Sequence, residues 1–271
     1  MISDQQKKDF FAQGYIVVPG VVPIDLCEKT IDAIVSYLKI DLSDEQTWYQ
    51  ESHAGHGIVP LHHHQAFWDI RQCDKVHEVF SALYGDEQLW VSMDRASYKP
   101  PSAPQTKDWL EAPVHWDCDP FIDNEFSLQG LVYLSDTTVE QGAFTCVPSI
   151  YQNLADYVDE HRDDSERRKP SYDSEELLSI AGPAGCLVIF NRLMPHSSGL
   201  NKSASHRFVQ YLTMQLQGGK QDRIQRVKEW SKKLPPVWAI NQKIKNQDIP
   251  EPGVAAELNE LGRKLVGVEV W

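Results

Sequence analysis

A histidine and an aspartate two residues apart, in Val114-His115-Trp116-Asp117, have the types and spacing of metal ligands. On an extended segment such residues project to the same side of the chain. His115 and Asp117 could then offer an imidazole nitrogen and a carboxylate oxygen to one ion. A second histidine would complete the two-histidine, one-carboxylate set that leaves positions open on Fe(II). The pattern is short, and the same residues could equally form an ordinary surface loop.

A second histidine and an arginine lie downstream in a strand–turn–strand pattern. His196 follows the apolar stretch 186–190, residues 197–201 are rich in turn formers, and Arg207 opens another strand candidate. In that arrangement His196 and Arg207 can face one cavity, where an arginine is suited to bind a carboxylate through two hydrogen bonds. Taken singly, His196 could be a core or turn histidine and Arg207 a surface ion-pair partner.

Short strands preceded by helices must position these residues. Apolar spacing predicts helices from a cap at Asp4 to Gly14, after Pro23 as far as Leu38, and from Val76 to about Gly85. The predicted strands are 15–18, 89–99, 128–134, 144–147, 186–190 and 208–216. Helices followed by many strands indicate a mainly β fold with flanking helices, a β-sandwich or jelly roll.

The chain shows no linker or internal repeat, so we expect a single domain spanning residues 1–271. Within it we expect a mostly helical part at 1–87, a strand-rich core at 88–217 and a C-terminal helical extension at 218–271. The charged and polar stretch 152–178 predicts a helical insertion in the core.

The amino-acid composition limits the classes of molecule that the protein could bind and the setting in which it folds. The formal net charge of −13 disfavours nucleic acid and favours a neutral, hydrophobic or cationic small molecule. The polar N-terminus lacks the apolar stretch of a signal peptide, and no segment is apolar enough to span a membrane. Five scattered cysteines without Cys-x-x-Cys pairs predict a reducing, cytoplasmic setting. Whether the chain forms a homo-oligomer is left open.

In these features the sequence resembles the phytanoyl-CoA dioxygenase family of Fe(II)- and 2-oxoglutarate-dependent oxygenases. The similar segments, in chain order, are Phe10 to Val22, Lys99-Pro100-Pro101, His115-Trp116-Asp117, Glu140 to Phe144 with Val147-Pro148-Ser149, and His196 to Asn201 with Arg207. Two segments depart from the family pattern: its Gly-Ser-His is here Ser149-Ile150-Tyr151, and its Gly-Asp is here Gly185-Cys186. Neither change removes a candidate ligand, but both indicate that the substrate need not be the family's namesake.

The resemblance implies a double-stranded β-helix, a cupin-like jelly roll, with catalytic Fe(II) held by His115, Asp117 and His196. It also implies that 2-oxoglutarate chelates the iron and places its far carboxylate against Arg207, that O2 is the oxidant, and that Tyr133 lies beside the cosubstrate. Tyr133 could instead be a core tyrosine. Because halogenating relatives lack the carboxylate, Asp117 favours hydroxylation of a C–H bond, with desaturation and ring rearrangement left open.

Two other functions fit part of the pattern. A metal-dependent isomerase or hydrolase on a cupin-like barrel would use His and carboxylate ligands but would need neither Arg207 nor 2-oxoglutarate. A non-catalytic binding protein would keep the fold, although degenerate members usually lose a ligand. Residues 48–68, rich in His and aromatics, predict either a solvated loop or a substrate lid, and Arg95 is a candidate substrate contact. Fold alone does not choose the substrate.

Overall fold

The computed structural model describes residues 2–49, 55–106, 110, 112–122, 125–162, 168–242 and 254–271. The helices are α1 (Asp4–Gln13), α2 (Ile24–Leu38), α3 (Gln65–Arg71), α4 (Asp74–Tyr84), α5 (Pro148–Gln152), α6 (Leu154–Glu160), α7 (Lys220–Lys232), α8 (Val237–Gln242) and α9 (Glu260–Val266). The strands are β1 (Tyr15–Val18), β2 (Ile58–Val59), β3 (Leu89–Val91), β4 (Ala96–Lys99), β5 (Leu128–Tyr133), β6 (Phe144–Cys146), β7 (Leu178–Ile180), β8 (Leu187–Asn191), β9 (His196–Ser198), β10 (Arg207–Tyr211) and β11 (Met214–Leu216).

The strands form three antiparallel sheets. A six-stranded sheet has the order β1-β8-β5-β10-β4-β2, a three-stranded sheet the order β7-β6-β9, and β11 pairs with β3. Neighbours in the large sheet are mostly distant in sequence, as in a jelly roll rather than in a meander. The mainly β fold with flanking helices is confirmed, and the sheets do not close into a barrel.

Side chains alternate between the two faces of the six-stranded sheet, because successive residues of a strand point to opposite sides. In β5, Leu131 and Tyr133 belong to a core shared with the three-stranded sheet, including Phe144. Leu128 and Val132 belong to a separate core on the other face. The inner face therefore lies between the sheets, and the candidate site occupies one end of it.

Helices cover the outer face with fully buried side chains, among them Phe10 of α1, Ile34 of α2, Phe67 of α3 and Leu265 of α9. The predicted ends of α1 and α4 are confirmed, but Ser3, not Asp4, caps α1: its side chain accepts from the backbone N–H of Gln6. Gly14 ends α1 with a φ of 82°, and a Cβ there would lie 2.5 Å from the Tyr151 ring.

Four stretches differ from the predictions. Within 48–68 the expectation of a solvated loop or lid is wrong for the second half, where His62 and His63 are buried and α3 places Phe67 and Trp68 in the core. Residues 50–54, which include His53, lie outside the described residues. The predicted helical insertion begins at Pro148 and ends at Glu160. Two predicted strands are each split: 89–99 into β3 and β4, and 208–216 into β10 and β11.

Among the described residues, no helix is both long and apolar enough to cross a membrane.

Candidate metal centre

The His-x-Asp segment is an irregular stretch held in place by its alternate residues. Val114, Trp116 and Cys118 are buried in a small core with Val147 and Ile150. The Trp116 indole N–H donates to the Leu193 carbonyl at 2.8 Å. With these three side chains turned inward, His115 and Asp117 are directed the opposite way, as expected for an extended segment.

The two histidines are held together through their backbones. His115 and His196 form an isolated antiparallel bridge in which each N–H donates to the other's carbonyl at 3.0 Å. Their ring centroids lie 4.9 Å apart. The Phe190 ring, on the inner face of β8, packs 4.6 Å from the His196 ring. This pairing fixes the separation of two ligands that are distant in sequence.

One nitrogen of each imidazole is committed to a backbone carbonyl. His115 Nδ1 lies 2.9 Å from the Pro113 oxygen and His196 Nδ1 lies 3.0 Å from the Met194 oxygen. Because a carbonyl only accepts, each Nδ1 carries the hydrogen and each Nε2 of a neutral ring presents a lone pair. This is the usual arrangement of metal-binding histidines, whose second nitrogen is oriented by the protein.

The free nitrogens converge on the carboxylate. His115 Nε2 is 3.6 Å from Asp117 Oδ1, and His196 Nε2 is 3.6 Å from Asp117 Oδ2. One ligand atom from each residue lies within 4.8 Å of the other two, and no second group of three such side chains occurs in the described part of the chain. Two imidazole nitrogens and one carboxylate oxygen fit Fe(II) with coordination positions left open.

The charges of the site also suit a cation. Burial raises the pKa of Asp117, but hydrogen bonds and charges from His115, His196 and Gln129 outweigh it and hold the pKa below its usual range. Burial lowers the pKa of His196 to about 4, so its ring is neutral at physiological pH. Burial also acts to lower the pKa of His115, but contacts with Asp117 and Pro113 raise it. An ionised carboxylate and a neutral imidazole are the forms that bind metal.

Arg207 lies deeper on the same inner face and is fully buried. It opens β10 opposite Lys99 of β4, and its Nη1 donates to the Ser97 hydroxyl at 3.0 Å. Its Nε and Nη2 have no hydrogen-bond partner among the described residues. Buried polar groups are nearly always paired, so two unpaired guanidinium N–H groups indicate a missing acceptor. A carboxylate accepts two such bonds at once.

Tyr133 and Lys99 border this arginine. The Tyr133 hydroxyl donates to the Ile180 carbonyl at 2.6 Å and accepts from the Phe144 N–H at 2.9 Å. Burial raises the pKa of Tyr133 to about 12, and the charge of Arg207 opposes the shift. Lys99 Nζ donates to Ser198 and Gly199, at 2.8 Å to the Gly199 carbonyl, and so ties the turn after His196 to β4.

Arg95 directly precedes β4 and is buried. Its guanidinium lies 5.0 Å from the Trp238 ring centroid and donates to the Gln242 side chain, so α8 covers it. Its assignment as a substrate contact stays a prediction.

Gln129 was missed by the sequence reasoning. Its Nε2 donates to Asp117 Oδ2 at 2.7 Å. The signal was present: in the predicted strand 128–134, Gln129 shares the face of Leu131 and Tyr133. A polar side chain at an inward position of a core strand marks a site residue more often than a core residue.

Comparison with known proteins shows that the sequence matches a known family. The profile of the phytanoyl-CoA dioxygenase family (PhyH) matches residues 10–209. A Dictyostelium discoideum protein assigned by name to phytanoyl-CoA dioxygenase is 23% identical over 255 residues, covering 75% of this chain and 73% of that protein.

Solved structures share the fold at low identity. GIG2 of Candida albicans superimposes with a TM-score of 0.77 at 13% identity, over 100% of this chain and 77% of that one. The α-ketoglutarate-dependent epimerase SnoN gives 0.54 at 17%, over 94% and 95%. EvdO2 of Micromonospora carbonacea, complexed with 2-oxoglutarate, gives 0.52 at 18%, over 79% and 90%. The fold is thus that of these proteins, and by its sequence over residues 10–209 the chain belongs to the phytanoyl-CoA dioxygenase family.

Proposed function

We propose that this protein is an Fe(II)- and 2-oxoglutarate-dependent dioxygenase that oxidises a C–H bond of a small molecule. The observation that carries the proposal is the pairing of two features on one inner face. One is the convergence of His115, Asp117 and His196. The other is the buried Arg207, with two guanidinium N–H groups unbonded among the described residues.

In this proposal His115 Nε2, His196 Nε2 and one Asp117 oxygen hold the metal. Bound there, Fe(II) supplies the activation of O2 that is coupled to decarboxylation of 2-oxoglutarate to succinate and CO2. Arg207 binds the far carboxylate of 2-oxoglutarate through Nε and Nη2, while Ser97 holds Nη1 and so fixes the plane of the guanidinium. Tyr133 is also proposed to lie beside the cosubstrate, and its hydroxyl joins β5 to β6 and β7 by hydrogen bonds.

For hydroxylation the reaction balances as substrate C–H, O2 and 2-oxoglutarate giving substrate C–OH, succinate and CO2. One oxygen atom enters the alcohol and the other enters succinate. Asp117 supports this outcome, because it fills the position that halogenating relatives leave to chloride. The similarity to an epimerase, SnoN, shows that the same fold also serves another outcome in that protein, so the class of oxidation is part of the proposal.

The competing function is a metal-dependent isomerase or hydrolase on the same fold. Such an enzyme has no use for a buried cation with two free donors. Leaving each buried donor unsatisfied costs about 1–3 kcal/mol, so a chain without a carboxylate ligand gains nothing by keeping Arg207. The buried guanidinium of Arg207 therefore favours the 2-oxoglutarate-dependent reaction.

The test is O2-dependent release of CO2 from 2-oxoglutarate labelled at C1. Iron-loaded protein is expected to release label slowly without substrate, and faster when a small-molecule fraction contains the substrate. Release is expected to stop under nitrogen and in Asp117→Ala. Label release at the same rate in wild type and Asp117→Ala would contradict the proposal.

A further inference from the structure

Asp117 is the least restrained of the three candidate ligands. Its side chain is 45% exposed, whereas that of His196 is 12% exposed. Each histidine ring is fixed by a bond from Nδ1 to a carbonyl close to it in sequence. Asp117 has no such local bond in the described part of the chain and sits in a stretch without regular secondary structure. Whatever holds this carboxylate therefore decides how it meets the metal.

Gln129 supplies that restraint. Its side-chain amide lies 2.7 Å from Asp117 Oδ2. Because an ionised carboxylate can only accept, the group in contact must be the amide NH2, which fixes the orientation of the Gln129 side chain. Each oxygen lies 3.6 Å from one histidine nitrogen, Oδ1 from His115 Nε2 and Oδ2 from His196 Nε2, and Oδ2 accepts the hydrogen bond from Gln129 in addition. The two oxygens of Asp117 are thus distinguished by their neighbours.

We propose that Gln129 is a positioning residue whose hydrogen bond occupies Asp117 Oδ2, so that Oδ1 is the oxygen left to bind the metal; this inference rests on the proposed function. A carboxylate free to rotate could bind through both oxygens and occupy a fourth position. One-oxygen binding leaves three positions for the cosubstrate and O2.

Close packing of β5 in the six-stranded sheet holds Gln129 in a fixed position. In the register of β5 and β8, Gln129 lies directly opposite Phe190. Phe190 packs against the His196 ring, so one pair of opposed residues supports both the carboxylate and a histidine. The next residue, Gly130, lies so close to its neighbours that a Cβ would be 2.8 Å from the Leu212 carbonyl. Close packing on both sides leaves β5 little freedom to shift.

The test measures the affinity of the full-length, metal-free protein for Co(II) under nitrogen, without 2-oxoglutarate. Gln129→Met keeps the length of the side chain and removes the donor. Loss of a residue that orients a metal ligand typically weakens binding 10–100-fold, and we expect a loss of about that size. The visible absorption of bound Co(II) is also expected to change as Asp117 gains the freedom to bind through both oxygens.

The matched control is Gln210→Met. Gln210 is a buried glutamine on the adjacent strand β10, and its amide donates to the Phe67 carbonyl at 3.0 Å on the face away from the metal. This variant also removes one glutamine hydrogen bond from the sheet, and its Co(II) affinity is expected to stay within about twofold of wild type, well below the effect of losing an orienting residue. Gln129→Asn, which keeps the amide but is one carbon too short, is expected to weaken Co(II) binding as Gln129→Met does.

Wild-type affinity and spectrum in folded Gln129→Met and Gln129→Asn would overturn the inference. Equal losses in Gln129→Met and Gln210→Met would also overturn it, since the effect would then be one of sheet stability. Asp117→Ala separates this failure from failure of the proposed function. If Asp117→Ala still binds Co(II) as wild type does, the metal site itself is wrongly assigned.

Discussion

Arg207 places a guanidinium in the protein interior with only one of its nitrogens bonded to a described residue, the Ser97 hydroxyl. The N–H groups of a buried guanidinium need hydrogen-bond acceptors, and a carboxylate matches their planar geometry. A ligand carboxylate would restore the missing bonds. The residue is therefore informative about the ligand as well as about the fold.

Replacing Arg207 should weaken the binding of 2-oxoglutarate. Hydrogen bonds to charged groups contribute about 1.5–3 kcal/mol each, so losing two should weaken 2-oxoglutarate binding by about 100-fold or more. Calorimetry on Mn(II)-loaded protein would compare wild type with Arg207→Met. Arg207→Lys is expected to recover little, because an ammonium does not reproduce the two-pronged geometry.

Arg226→Met provides the control. Arg226 is a half-buried arginine whose Nε has no hydrogen-bond partner among the described residues, but its guanidinium donates to the Leu265 carbonyl of α9, on the outer side of the sheets. Its replacement should leave the affinity for 2-oxoglutarate unchanged. If Arg207→Met binds 2-oxoglutarate as tightly as Arg226→Met does, Arg207 is not the carboxylate-binding residue.

The candidate ligands could be predicted from the sequence because their chemistry is local. The spacing of His115 and Asp117 predicts them as ligands, and the position of His196 after an apolar strand predicts the third. Gln129 could not be assigned in the same way. Its contact with Asp117 depends on how β5 folds back toward an irregular segment twelve residues earlier, and no local pattern encodes that distance.

At the scale of elements, the strongly periodic segments were predicted well. The amphipathic α2 and α4 and the apolar strands β1, β5 and β8 lie where spacing and composition placed them. The missed elements, α3, β2, β7 and β9, have at most seven residues each. Segments so short carry too few apolar positions to define a period, and tertiary contacts decide their structure.

The segment before α3 shows how tertiary context overrides composition. His62 Nδ1 donates to the Met93 carbonyl, and His63 Nε2 lies 2.7 Å from the Leu234 carbonyl. Burial, helped by neighbouring cations that include Arg71, lowers the pKa of His62 to about 3 and that of His63 to about 4. These histidines, whose segment was predicted to be a solvated loop or a lid, are instead neutral and lie in the interior.

Acid should therefore destabilise the protein through these histidines. Below the ordinary histidine pKa of about 6.5, His62 and His63 bind protons in the unfolded chain but stay neutral in the folded chain. The contribution of each group to the free energy of unfolding is complete above that pH and is lost as the pH falls toward 4. The loss is at most about 1.4 kcal/mol per pH unit and group.

His63→Gln tests this element directly, because glutamine can still donate to the Leu234 carbonyl but does not titrate. Urea unfolding at pH 7 and pH 5 should show a difference smaller than that of wild type by about 2 kcal/mol. His161→Gln, at a half-exposed position beside Tyr157, should retain the wild-type difference. An unchanged difference in His63→Gln would contradict the assignment of a buried, neutral His63.

At the scale of the whole molecule, the C-terminal helix belongs to the same core as the N-terminal helices. Leu265 and Val266 of α9 are fully buried in the outer core together with Phe80 of α4. The Trp271 indole donates to the Leu89 carbonyl at the start of β3. These contacts support the proposal of a single domain in which the C-terminal extension is part of the folded unit.

Truncating one side chain of α9 measures how much this helix contributes to the free energy of unfolding. Leu265→Ala should lower the free energy of unfolding by about 2–5 kcal/mol, the usual effect of removing a fully buried leucine side chain. Val270→Ala, at a position 66% exposed, should change it by less than about 0.5 kcal/mol. A loss below 1 kcal/mol in Leu265→Ala, on the order of a surface change, would show that the extension is docked weakly and separately.

The net charge of the molecule and the buried cation Arg95 favour substrates of different charge. The net charge of −13 disfavours large anions, yet Arg95 is a buried cation packed against the Trp238 ring. Asp94 Oδ1 lies 3.8 Å from Arg95 Nε and offsets that charge. This balance supports the proposal of a small molecule without a large anionic group as the substrate.

The central claim is that iron, 2-oxoglutarate and these side chains meet in one site, and anaerobic titration of the iron-loaded protein with 2-oxoglutarate tests it most directly. We expect a weak visible charge-transfer band that saturates at one cosubstrate per chain, is absent in Asp117→Ala and needs far more 2-oxoglutarate in Arg207→Met. Stoichiometric iron without any band would contradict the account and favour an isomerase or hydrolase that uses the metal alone.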